Sequence, residues 1–343
     1  MNVPWKSYLE SCGARFEANE PTHFGDLLAE LSAAQNGMVI APLGHFGVMR
    51  CNGEDAATFL HNLLTNDIKA LSRDRALVCG FCTAKGRMLA DFLVWRDEDA
   101  YLLQLSADIQ PAVQKKLSMY VLRSKVKITD ASEELVLIGL AGPQAENLLG
   151  TLGLTAPQEP LGVSAIDAGQ IIRLDAQRFV LALSEVAGEP LWERLSSHAR
   201  PVGTAAWRWL DIVAGQPHIT ATTQEEFVPQ MVNLELIGGV SFTKGCYPGQ
   251  EIVARTKYLG KVKRRTLRAH VMADAMPAPG TDLYTSAVPE QSSGKVVNAA
   301  AAPEGGYELL AELIMANIEG QEVRLGRADG PALEMRPLPY SLD

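Results

Sequence analysis

The texture of the sequence changes once, near Val262, and that change limits the folds open to the chain. Upstream, apolar runs of strand length alternate with helical stripes. Downstream come short alternating strands broken by glycine and proline: Leu267-Arg-Ala-His-Val271, Gly294-Lys-Val-Val-Asn298, Tyr307-Glu-Leu-Leu310 and Glu322-Val-Arg-Leu325. The first pattern predicts packed α+β layers, the second a small all-β barrel or sandwich. Length agrees, since 343 residues exceed one ordinary core and lead one to expect two or three domains.

The upstream part begins with a helical lead-in over residues 1–35, whose stripe is Phe24, Leu27, Leu28 and Leu31. Two short strands between Gly37 and Arg50 meet near Gly44. Asn52-Gly53 then makes a turn into a helix carrying Phe59, Leu60, Leu63 and Leu64 that ends around Thr65-Asn66-Asp67. A hairpin over residues 77–95 turns at Lys85-Gly86. Its Cys79 and Cys82 sit at i and i+3 of a strand, so their sulfurs diverge, and no second Cys or His pair completes a zinc site. Strands are expected at 99–105, 125–128, 135–141, 171–174 and 179–183, and helices at 109–119, 145–149 and 190–198. Trp207, Leu210 and Ala214 share a helical face that stops at Gly215.

Bulk properties exclude several classes. A net charge of −9 argues against general nucleic-acid binding, which needs a basic footprint. Five cysteines in a long chain do not make a disulfide framework and fit a reducing compartment. No apolar run reaches the length of a membrane span, and Glu10, Glu17 and Glu20 interrupt any leader pattern, so a soluble cytoplasmic protein is expected.

The densest chemistry lies at Lys244-Gly245-Cys246-Tyr247-Pro248-Gly249-Gln250-Glu251. Val240-Ser241-Phe242 before it reads as a short strand, and Glu251 to Arg255 after it as a turn or two of helix. Gly245 and Pro248-Gly249 would make the corner. Cys246 is then placed near helix-end amides and Lys244, both of which favour a thiolate. The competing reading is a small buried hydrophobe. A cationic run follows, Arg255, Lys257, Lys261, Lys263, Arg264, Arg265 and Arg268, readable as a solvated face or as a polyanion site.

Lys-Gly-Cys-Tyr-x-Gly-Gln-Glu, preceded by Phe227-Val-Pro-Gln230 and followed by Ala254-Arg255, resembles the signature of the YgfZ family of folate-binding proteins. These are relatives of the T-protein, the aminomethyltransferase of the glycine cleavage system. Ala84-Lys-Gly-Arg-Met88, Trp207 with Ala214-Gly215, and the closing Pro337-Leu-Pro-Tyr-Ser-Leu342 resemble further family segments, so the likeness covers most of residues 37–343. It implies an α+β, three-domain aminomethyltransferase-like folate-binding fold around a central channel. The expected parts are a folate-binding domain of residues 1–50 plus 134–261, an inserted α+β domain of 51–133, and a C-terminal β-barrel of 262–343.

The resemblance also implies tetrahydrofolate, including its polyglutamylated forms, with Phe46 and Trp207 near the pterin and Asp211, Gln250 and Arg255 among the binding groups. It makes Cys246, beside Lys244, the functional thiol. It implies an accessory role in assembly or repair of iron–sulfur clusters, with iron–sulfur enzymes or assembly proteins as partners and an indirect service to tRNA modification. Neither a membrane nor direct nucleic-acid contact is expected. Two departures bear on chemistry. Val213 stands where aminomethyltransferases carry the glutamate that grips the pterin, and Asp211 would replace it only in an extended segment. Asp91 lies one residue from the position of the transferase aspartate, which makes a tetrahydrofolate-dependent aminomethyl or one-carbon transferase the second reading.

Overall fold

The computed structural model describes residues 1–258 and 262–342. The chain divides into two compact units: Met1–Ala57, Ala70–Leu77 and Leu93–Trp207 form one, and Thr58–Lys69, Val78–Phe92 and Arg208–Asp343 the other.

The first unit is built on a six-stranded sheet ordered Val163–Ile166, Gly169–Arg173, Arg178–Ser184, Leu135–Ala141, Val39–Pro42, Arg200–Pro201. All pairs are antiparallel except the last, which is parallel. Ile40, Val136, Ile138, Leu140, Phe179 and Leu181 pack with Trp5, Leu9, Trp192 and Leu195 of two helices, Val3–Ser11 and Glu185–Ser196, in one apolar core. The helical lead-in is interrupted: a hairpin of Arg15–Glu17 and Glu20–His23 separates Val3–Ser11 from Leu27–Asn36. Gly13, in the left-handed region, ends the first helix and starts the hairpin, a punctuation the apolar stripe overrode. A second sheet places Phe46–Asn52 between Ala100–Ser106 and Lys127–Asp130.

The second unit contains the hairpin formed by residues 78–82 and 88–92 and, after it in sequence, a six-stranded sheet ordered Val323–Leu325, Asp282–Thr285, Gly294–Ala301, Tyr307–Ile314, Arg264–Val271, Leu333–Arg336. A bridge between Arg324 and Ala332 brings its two edges together, so it is a nearly closed barrel. Alternation works as the sequence predicts: Ala269, Val271, Leu309, Ala311 and Leu313 enter the core, while Arg264, Thr266, Arg268 and His270 take the other face. The tail folds back within this unit, where the Tyr340 hydroxyl donates to Gly215 O at 2.8 Å.

From Ala214 to Gly249 the chain forms neither helix nor strand. The expected strand at Val240-Ser241-Phe242 is absent: Ser241 N donates to Thr65 O, but no ladder continues from it. Tertiary bonds hold this segment in place, and they also build the site.

Candidate functional site

Thr65 and Asn66, just past the helix Ala56–Leu63, fasten the irregular segment to the hairpin. Thr65 Oγ1 donates to Gly239 O at 2.6 Å and accepts from Gly80 N at 2.7 Å. Asn66 Nδ2 donates to Val78 O at 2.8 Å and to Gly238 O at 2.7 Å. Sequence reading took these residues only as a helix end. Their polar side chains directly after an apolar stripe were the available signal.

On that frame sits the corner 244–249. Lys244 is 7% exposed, and its ammonium donates to His61 O and to Leu64 O, closing off carbonyls at the end of the helix Ala56–Leu63. Burial pushes Lys244 down to about 8. The Nζ also lies 5.0 Å from the ring centre of Tyr247, which is itself buried. Lys244 is thus a positioning cation beneath the corner. Gly249 adopts φ +83° as the Pro-Gly turn requires, and the helix Gln250–Tyr258 starts there, longer than the sequence suggested. Cys246 is exposed on this corner, so the buried-hydrophobe reading fails. Cys51, Cys79 and Cys82 are buried, and burial alone pushes Cys51 and Cys82 up to about 12.

Beside Gly245 stands His61. A methyl group built on Gly245 would meet His61 Nε2 at 3.7 Å, the nearest described atom outside its two chain neighbours. His61 Nδ1 lies 3.0 Å from Asp67 Oδ1. Burial and then the Lys244 charge lower the His61 pKa, outweighing Asp67, so the ring is neutral near pH 7.

A second cluster in the same unit joins Asp91, Asp211 and His218. Asp91 accepts from Ile219 N at 2.6 Å, and its other oxygen lies 2.9 Å from His218 Nδ1. His218 Nε2 lies 3.5 Å from Asp211 Oδ2. Burial alone would depress the imidazole, but the two carboxylates outweigh it and push His218 up to about 10, so it is a cation. Asn298 brackets the backbone of His218, accepting from its N–H and donating to its carbonyl, both at 2.9 Å. His218 was not singled out from sequence. A histidine two residues before a threonine-rich turn carries no spacing signal.

Lys244 and Cys246 lie on the corner, and Gln250 and Arg255 on the helix that leaves it. Asp211 does not fill the missing pterin glutamate's place: its segment is the helix Thr204–Val213, and its carboxylate faces His218. Trp207 belongs to the first unit and is 0% exposed, its ring packed against Gly139, where an added Cβ would come within 2.3 Å. It is a core side chain with no open face for a ligand to stack on. Phe46, also in the first unit, is 8% exposed with its ring 4.0 Å from that of His45. The cationic run divides. Arg264, Arg265 and Arg268 pair with the buried Glu312, Glu235 and Glu308 at 2.8, 2.5 and 2.5 Å. Arg255, Lys257 and Lys263 are exposed, and Lys261 lies outside the described residues.

These elements define a class before they define a family. Residues 7–176 match the protein-family model described as the GCVT N-terminal domain. The whole chain superposes on the crystal structure of the glycine cleavage system aminomethyltransferase T from Bartonella henselae, with TM-score 0.82 and 20% identity over 100% of this chain and 98% of that one. The fold is therefore the α+β aminomethyltransferase fold with a C-terminal barrel.

Within that class, the tRNA-modifying protein YgfZ of Escherichia coli O127:H6 is 30% identical over 91% of this chain and 96% of its own length. That of Escherichia fergusonii is equally similar over the same shares. The chain belongs to the YgfZ family. No helix among the described residues is long and apolar enough to cross a membrane.

Proposed function

We propose that this protein is a tetrahydrofolate-binding accessory protein of tRNA modification in the cytoplasm, working through the Cys246 thiol in assembly or repair of iron–sulfur clusters of the enzymes concerned. The observation that carries the reading is the corner itself. A buried lysine, two bonded polar side chains and a left-handed glycine hold Cys246 in the open, whereas Cys51, Cys79 and Cys82 are buried. The relatives' description as tRNA-modifying proteins supplies the process. A cluster takes four thiolates, so one cysteine acts transiently and does not house it.

The residues expected to grip a pterin do not fit one. Val213 offers no carboxylate, Asp211 faces His218, and Trp207 is closed over by Gly139. Folate binding accordingly rests on the fold and the family, and no chemical step is routed through it. Among the described residues of the run, the exposed Arg255, Lys257 and Lys263 are the cations left to meet a polyglutamate tail. Aminomethyl transfer is disfavoured because both oxygens of Asp91 are engaged, by Ile219 N and by a His218 cation.

The test is replacement of Cys246 by alanine in cells lacking the protein. The variant is expected to accumulate normally and to leave iron–sulfur-dependent tRNA modification at the level of the deletion strain. Full restoration by the alanine variant would overturn the thiol role. Calorimetric titration with tetrahydrofolate and its polyglutamates checks the ligand separately.

A further inference from the structure

We propose that the turn following the helix Gln110–Met119, in the first unit, docks on an anionic lipid surface. The proposal goes beyond the reading of Cys246 and does not depend on it.

The helix buries Val113 and Leu117 and leaves Lys115 and Met119 outside, one turn apart along the same line. Tyr120 N donates to Leu117 O at 3.0 Å as the helix ends. Ser124 N then donates to Val121 O at 2.7 Å, closing a tight turn with Leu122 and Arg123 in its middle. Leu122 adopts φ +44° there, in the left-handed region, and is 89% exposed. Glycine or asparagine takes such a position at little cost, and either suits water better than an aliphatic chain. Leucine breaks both rules at once. Met119 is 70% exposed and Tyr120 44%, so three large apolar side chains stand out within four residues. Contiguity separates this tip from apolar residues scattered singly over a surface.

Charge indicates what covers the tip. Residues 115–127 carry five cations, Lys115, Lys116, Arg123, Lys125 and Lys127, and no carboxylate, in a chain of net charge −9. Lys125 is tied locally, its Nζ donating to Glu54 at 2.7 Å and its N–H to Asp55 at 2.8 Å. The other four have no ion-pair partner among the described residues. A nucleic acid would meet these cations, but it rewards stacked rings, and of the three apolar side chains only Tyr120 has one. A lipid surface matches each part of the tip. Leu122 and Met119 enter the acyl boundary, and Tyr120 takes the headgroup level. The lysine and arginine stems lie along the apolar contact while their charged ends meet the lipid phosphates. Because the chain as a whole is acidic, an anionic surface repels its acidic parts and draws this tip. Such a contact needs no spanning helix, and it departs from the expectation that no membrane is met.

The test is flotation of the full chain with vesicles of phosphatidylcholine, alone or carrying about 30% phosphatidylglycerol, in about 0.1 M salt. Binding is expected on the anionic vesicles, absent on the neutral ones, and weaker as salt rises. Leu122→Gly removes the apolar tip and suits the left-handed backbone. It should melt no lower than wild type and partition at least about fivefold more weakly. Lys115→Ala combined with Lys116→Ala should weaken partitioning about tenfold or more. A chain that ignores anionic vesicles would overturn the proposal, as would variants that bind them like wild type. Retention of a tRNA transcript that is lost in the same variants, with vesicles ignored, would overturn it in favour of a nucleic acid. None of these results touches the cellular test of Cys246.

Discussion

Gly249 packs backbone to backbone on Gly86: a Cβ on Gly249 would come within 2.5 Å of Gly86 Cα and 2.6 Å of Thr83 O. The tip of the hairpin and the corner bearing Cys246 are thereby joined at a point where Gly249 has no room for a side chain and one on Gly86 would press on Ile252 at 3.1 Å. Gly249 also needs its φ of +83°, a region that costs other residues about 1–3 kcal/mol. Gly249→Ala should therefore lose about 3 kcal/mol or more by urea denaturation and displace Cys246 from its corner. A midpoint within error of wild type would show that the contact is dispensable.

The Asp91–His218–Asp211 cluster makes stability depend on pH in a defined direction. The folded pKa of His218, about 10, lies above its ordinary 6.5, so the folded state binds more protons between those values. Its contribution is complete below pH 6.5 and is lost as pH rises toward 10. Lys244 acts oppositely above pH 8, because its folded pKa is lowered to about 8 and the unfolded chain binds the extra proton there. The clean window is pH 6.5–8, where melting temperature should fall for wild type and stay flat for His218→Gln. Parallel curves would refute the charge on His218.

How far the sequence disclosed this arrangement depends on whether each feature is local. The barrel was legible because alternation has a period of two and one face is buried, as in Leu267, Ala269 and Val271. The corner was legible because Pro-Gly and its neighbours encode their own turn. Val240-Ser241-Phe242 misled because alternation says nothing of whether a partner strand exists. His61 and His218 were invisible for a related reason: each matters through residues far off in sequence, Gly245 for one and Asp91 for the other. Trp207 showed the reverse error, since only Gly139 reveals that its ring faces a backbone.

That pairing gives a prediction about core and ligand. Trp207→Ala should cost about 3–5 kcal/mol, the usual range for emptying a buried tryptophan site. Gly139→Ala should be comparably harmful, because its methyl would overlap the ring at 2.3 Å. Acrylamide should quench Trp207 weakly whether or not tetrahydrofolate is present. Strong quenching in the free protein would mean the ring is accessible after all.

The cationic run separates into structural and available charges, and substitution should expose the division. Glu308 and Glu312 are almost wholly buried, and burial raises their pKa values despite the arginines beside them. Removing Arg268 or Arg264 would strand those carboxylates, at a cost of about 3 kcal/mol, the low end for breaking a buried pair from one side. Arg268→Met should thus lower the melting temperature and leave the affinity of the folded protein for polyglutamate unchanged. Arg255→Ala and Lys257→Ala, at exposed helix positions, should change stability by less than about 0.5 kcal/mol. If the corner receives a polyglutamate tail, the same pair should weaken binding of the longer tetrahydrofolates most, and the loss should shrink as salt screens the charges. An equal loss for mono- and polyglutamylated ligand would place the tail elsewhere.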